Sequence, residues 1–128
     1  MKRKLIVLTF SLMSAGVLLA AAGSDWMSEV PARDQRKTNP FRDQPGAIQA
    51  GRLLFEDHCA QCHGDNAEGQ GKRPSLRTAR IQSEASAGAV HWLLFNGNVR
   101  HGMPSWSKLP DQQLWQLVAF VRSLKAAE

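Results

Sequence analysis

The chain has 128 residues, of which 43% are hydrophobic, and this length favours one domain rather than two. Its formal net charge is +5, but three of its 16 basic residues, at positions 2–4, belong to an unusual N-terminal segment. Without these three residues, the chain has 13 basic and 11 acidic residues, which leaves a net charge of only about +2. That balance excludes the strongly basic surface that nucleic-acid-binding proteins typically need.

Residues 1–23 have the layout of a signal peptide, because a short basic start precedes a mainly apolar run, residues 5–22, that ends in small residues. Cleavage there would release the rest of the chain into the periplasm. The alternative is an uncleaved membrane anchor, since about 18 apolar residues can just span a bilayer. Both interpretations predict an exported domain, and the second predicts that it stays associated with the membrane.

Residues 24–44 mix charges with prolines and show no apolar period, so we expect a flexible tether there. The folded domain is expected to cover residues 45–125. Three helices are predicted within it: from residue 45 to the cysteines, over residues 86–96, and over residues 111–125. No stretch of useful length alternates with period two, so the predicted fold class is all-α.

The segment DHCAQCHGD places Cys59, Cys62 and His63 in a CxxCH pattern. A disulfide between cysteines this close would close a very small loop and stabilise little. A thioredoxin-like redox pair needs a βαβ context, and a zinc site needs a fourth ligand, for which the adjacent His58 is poorly placed. Covalent haem attachment remains, and an apolar haem would supply the core that a domain of roughly 80 residues lacks.

The spacing of the motif suits this chemistry. Residues three apart lie on one face of a helix, so the sulfurs of Cys59 and Cys62 could reach two vinyl groups on one edge of a porphyrin. His63 would then lie beneath the ring as the proximal iron ligand. Pro74, eleven residues later, is a candidate to offer its carbonyl oxygen to the other imidazole nitrogen.

Met103 is the predicted distal ligand, because it lies between Gly102 and Pro104 in a polar loop that would present its sulfur from a stiff backbone. The other methionines lie in the N-terminal segment or in the expected tether. His101 is the rival distal ligand. His91 is a weaker one, because we expect it on a helix surface.

Four segments in this order, GRLLFEDHCAQCHG, GQGKRPSL, NGNVRHGMPSW and LWQLVAFVRSL, resemble bacterial class I cytochromes c, the mono-haem CxxCH family. The likeness covers residues 45–125. It implies the small cytochrome c fold, in which three to four short helices wrap round one covalently attached haem c. The first and last helices would cross near Gly51 and Phe55, and one haem edge would be exposed.

The resemblance also implies the roles of individual residues. It makes Cys59 and Cys62 the thioether positions, His63 and Met103 the axial ligands, and the Pro74 carbonyl the partner of His63. The side chains that it assigns to the haem surroundings are Trp92, Trp106, Arg77 and Arg100. The chain departs from many relatives in having no tyrosine, and the expected tether has no counterpart in the minimal family pattern.

These features predict an electron-transfer protein rather than an enzyme. It would carry single electrons in the periplasm between redox proteins, for example from a dehydrogenase to a terminal oxidase. The basic residues within 72–80, together with Arg100, would form a docking rim for an acidic partner. The alternatives are a fixed cytochrome subunit of a dehydrogenase complex, and gas sensing or catalysis at an open iron, for which no distal acid–base pair is evident.

Overall fold

The structure, a computed structural model, describes residues 25–124, so the expected signal peptide lies outside the described residues. The described range contains six α-helices: α1 Trp26–Glu29, α2 Ala32–Gln35, α3 Pro45–His58, α4 Ala60–His63, α5 Ala87–Asn96 and α6 Asp111–Ser123. A π-helical turn, Arg80–Glu84, and a 3-10 turn, Val99–His101, lie between them. Residues 25–124 contain no β-strand, which confirms the all-α prediction.

The three long helices begin and end where local chemistry favours it. Pro45 occupies the first turn of α3, where its missing N–H has no intrahelical partner to lose. The Ser86 hydroxyl caps α5 by accepting a hydrogen bond from the Ala89 N–H at 3.1 Å, and α5 ends at Gly97, whose φ is +74°. These helices match the three predicted from sequence.

Helices α3 and α6 cross at a glycine, as the family resemblance implied. A Cβ at Gly51 would collide with the Gln116 carbonyl, so only glycine lets the two backbones approach this closely. One turn later, the rings of Phe55 and Phe120 pack with centroids 5.3 Å apart. Helix α6 buries one stripe against the core: Leu114, Leu117, Val118 and Val121.

Residues 25–44, the described part of the flexible tether that we expected over residues 24–44, are instead folded against the domain. They form α1 and α2, and Val30 and Asp34 are buried in the folded body. The Asn39 side-chain amide donates to the Trp115 carbonyl of α6 at 2.9 Å, and Asp25 forms an ion pair with Arg80. The sequence shows no apolar period here because these contacts come from two single-turn helices and an irregular stretch.

Within the described range, no helix combines the length and apolar character of a membrane-spanning segment.

Candidate haem site

The CxxCH motif lies at the junction of two helices. Cys59 is the residue between α3 and α4, and its carbonyl accepts a hydrogen bond from the His63 N–H at 2.9 Å. The Cys59 side chain is half-buried, Cys62 is exposed, and neither forms a disulfide. Burial raises the pKa of the Cys59 thiol to about 12, with a smaller contribution from Cys62. This thiol is therefore protonated at neutral pH, unlike the low-pKa cysteines of redox-active pairs.

The loop after the motif places a carbonyl oxygen on the His63 ring. The Pro74 oxygen lies 2.9 Å from His63 Nδ1, which is the contact expected from the spacing. Gly69 builds this arrangement: its N–H donates to the His63 carbonyl at 2.7 Å, its φ is +88°, and a Cβ there would collide with residues 73–75. Because a carbonyl can only accept, Nδ1 must carry the hydrogen, which leaves Nε2 of the neutral imidazole as the free lone pair.

The Met103 loop is a tight hairpin. Both backbone groups of Met103 pair with Asn98, at 2.9 and 3.1 Å, around the 3-10 turn. Gly102 makes the reversal possible, because its φ of +82° lies in the left-handed region that glycine adopts without strain. The loop then returns to α5, where the Trp106 N–H donates to the Leu94 carbonyl at 2.9 Å. Met103 itself is half-buried and packs against the hydrophobic core.

The residues assigned to the haem surroundings divide into two groups. Trp92 and Trp106 are half-buried against the core, and the Trp106 ring also packs on His58 with centroids 5.0 Å apart. The contact with His58 was not predicted from the sequence. Arg77 donates to the Asn66 carbonyl at 2.7 Å, and Arg100 is exposed. Propionate contacts of these arginines stay predictions.

His91 is not on the helix surface where the sequence placed it. It is buried, and its Nε2 donates to Asp111 at 2.8 Å while its ring stacks on Trp115 with centroids 4.1 Å apart. These contacts join α5 to α6. The signal that could have revealed it is its position three residues before the buried Leu94, on the same helix face.

We expect His91→Ala to lower the free energy of unfolding by about 2–4 kcal/mol, because it removes a stacked ring and leaves a cavity. Urea titration followed by circular dichroism measures this change. The visible spectrum of the haem should stay unchanged. An altered spectrum with unchanged stability would instead assign His91 to the iron.

The donor set fits a covalently attached haem. Two thiols three residues apart, an imidazole with a free nitrogen and a half-buried thioether are the groups that c-type haem requires. Several apolar side chains pack against the core on one side and stay partly exposed on the other: Leu54, Leu76, Trp92, Met103, Trp106 and Leu109. By contrast, no three His, Cys, Asp or Glu side chains of residues 25–124 are grouped to hold a metal ion such as zinc.

Comparison with known proteins gives consistent relatives. Cytochrome c550 of Pseudomonas aeruginosa is 29% identical over 107 residues, which cover 75% of this chain and 71% of that protein. The cbb3-type cytochrome c oxidase subunit FixPc of Rhizobium leguminosarum bv. viciae is 35% identical over 91 residues, 62% of this chain and 29% of that subunit. The quinohemoprotein alcohol dehydrogenase ADH-IIG of Pseudomonas putida is 32% identical over 77 residues, but these are only 10% of its length. The chain thus spans less than a third of the oxidase subunit and a tenth of the dehydrogenase.

The fold has a solved counterpart in cytochrome cL of Methylophaga aminisulfidivorans MPT, with a TM-score of 0.58 and 27% identity over 67% of this chain and 58% of that one. Residues 46–121 match the family model described as cytochrome c oxidase, cbb3-type, subunit III. The match runs from the second residue of α3 to Val121 in α6 and includes the CxxCH motif and the Met103 loop. The chain therefore belongs to this family of bacterial class I c-type cytochromes, and its cofactor is one covalently attached haem c.

Proposed function

We propose that this protein carries single electrons between redox partners in the periplasm, with haem c bound through Cys59 and Cys62 and with His63 and Met103 as axial ligands. The observation that carries the proposal is the 2.9 Å contact between His63 Nδ1 and the Pro74 carbonyl. It orients the ring, fixes its tautomer and leaves Nε2 available for iron. Histidines that bind a metal generally donate their other ring N–H in this way.

Haem c, when bound, supplies a one-electron Fe(III)/Fe(II) couple. His63 and Met103 would hold the haem iron, with the Pro74 carbonyl raising the basicity of His63 and the hairpin with Asn98 keeping Met103 in place. A thioether ligand favours the ferrous state and raises the reduction potential. In each transfer the donor loses one electron and the acceptor gains one, with no proton or substrate bound by the protein.

The proposed partners are acidic redox proteins. Lys72, Arg73 and Arg100 are exposed, and Arg73 contacts the carbonyl of His101, so the basic loop and the Met103 loop adjoin. Positive charge beside an electron-exit surface would steer weak, fast association. A periplasmic dehydrogenase as donor and a terminal oxidase as acceptor fit this description.

The second candidate function is that of a dedicated cytochrome subunit in a dehydrogenase complex. The quinohemoprotein relative favours it, because a homologous cytochrome segment there belongs to an alcohol dehydrogenase. Gel filtration of the native protein under low salt distinguishes the two functions. A free carrier elutes alone, whereas a subunit elutes with a large enzyme that retains dehydrogenase activity.

The first experiment is the optical spectrum of the purified ferric protein, followed by addition of carbon monoxide to the reduced form. The proposed ligation gives a sulfur-to-iron charge-transfer band, and carbon monoxide binds only weakly because it must displace Met103. A missing band with ready carbon monoxide binding would contradict the carrier function and favour sensing or catalysis at an open iron.

A further inference from the structure

The Arg73 side chain contacts the Met103 loop. Its guanidinium Nη1 donates to the His101 carbonyl at 3.2 Å. The same group lies over Gly102, where a Cβ would come within 2.5 Å of Nη1. The side chain therefore rests on the two residues that precede Met103.

The backbone of Arg73 belongs to the loop that supports His63. Its N–H and carbonyl pair with Gln70, at 2.8 and 3.1 Å, which closes a tight turn directly before Pro74. Pro74 is the residue whose carbonyl accepts from His63. One residue thus connects the support of the proximal histidine to the loop of the distal methionine.

Two hydrogen bonds tie the Met103 loop to α5, and the Trp106 ring packs on His58 of α3. The Trp106 N–H donates to the Leu94 carbonyl, and the Ser105 hydroxyl donates to the Phe95 carbonyl at 2.6 Å. They anchor the part of the loop that follows Met103. Residues 99–102, which precede Met103, are exposed. Arg73, in the loop that supports His63, contacts them through the His101 carbonyl.

We propose that Arg73 is a positioning residue that holds the Met103 loop closed, so that displacement of Met103 from iron requires this contact to break. The inference rests on the axial ligation proposed above. A charged donor on a backbone carbonyl is stronger than a neutral one, but this contact is exposed and therefore modest. Its loss should change how often Met103 leaves the iron, without unfolding the protein.

The test is Arg73→Ala in the holoprotein, with carbon monoxide titrated into the reduced form. We expect carbon monoxide to bind about fivefold more tightly, the size that the net loss of one hydrogen bond gives. In urea, the sulfur-to-iron band of the ferric variant should disappear at a lower concentration than in the wild type. The loss of helical circular dichroism should shift less, because a purely structural defect would shift both alike.

Lys72→Ala is the matched control, because it removes a neighbouring exposed charge that makes no hydrogen bond or ion pair with residues 25–124. It should leave carbon monoxide affinity unchanged. An equal gain in both variants would assign the effect to surface charge and overturn the proposal, as would an Arg73→Ala protein with wild-type affinity. A wild-type spectrum without the sulfur band would instead overturn the axial ligation itself.

Discussion

Replacing Cys59 and Cys62 together by alanine is expected to abolish covalent haem and to leave a largely unfolded chain. The folded body, residues 25–124, buries a smaller fraction of its surface than larger proteins do, so its core depends strongly on an added apolar group. Without haem, the apolar side chains that are only half-buried against the core would be exposed to water. Haem staining after denaturing electrophoresis and circular dichroism measure the two effects.

The single variant Cys62→Ala is the control for this result. Cys62 is exposed, so its thiol contributes little packing of its own, and one thioether bond through Cys59 would remain. We expect this variant to keep haem and a cooperative unfolding transition at lower yield. A cooperative, compact protein from the double variant would show that the polypeptide core suffices and would contradict the prediction.

Met103→Ala should leave the haem attached while opening the iron to external ligands. Without a sulfur donor the ferrous state loses its preferential stabilisation, so the reduction potential should fall by about 0.1 V or more, within the ~0.8 V range that axial ligands set. The sulfur-to-iron band should vanish, and carbon monoxide should bind the reduced protein readily. Potentiometric titration and carbon monoxide difference spectra measure these changes.

Met27→Ala is the matched control for Met103→Ala. Met27 is also half-buried against the core, but it lies in α1 and not in the hairpin formed by Asn98 and Met103. Its loss should lower stability slightly and leave potential and carbon monoxide binding as in the wild type. Unchanged carbon monoxide binding in Met103→Ala would exclude Met103 as the ligand.

The sequence predicted the elements whose signals are local. Apolar spacing and caps sufficed for α3, α5 and α6, because each has a proline or serine at its start and buries one face. The contact between His63 and Pro74 could also be predicted, because one short loop, whose turns depend on glycine, joins the two residues. In these cases the residues that fix the geometry are neighbours in the chain.

The features that escaped prediction depend on partners distant in sequence. The burial of His91 depends on Asp111 and Trp115, and the contact of Arg73 depends on His101, 28 residues away. Helical spacing relative to Leu94 places His91 on the buried face of α5 but indicates neither of its partners, and no spacing signals the contact of Arg73. The packing of residues 25–44 escaped for the same reason.

The ion pair between Asp25 and Arg80 fixes the start of the described chain to the folded body, which would limit the movement of a protein with an uncleaved anchor. Asp25 is three residues beyond position 22, the end of the apolar N-terminal run, and three residues span at most about 11 Å. If that run stayed in a membrane, the folded body would be held against the lipid surface and could exchange electrons only with partners reaching the same patch. A carrier that moves between separate donors and acceptors in the periplasm therefore requires cleavage before Asp25.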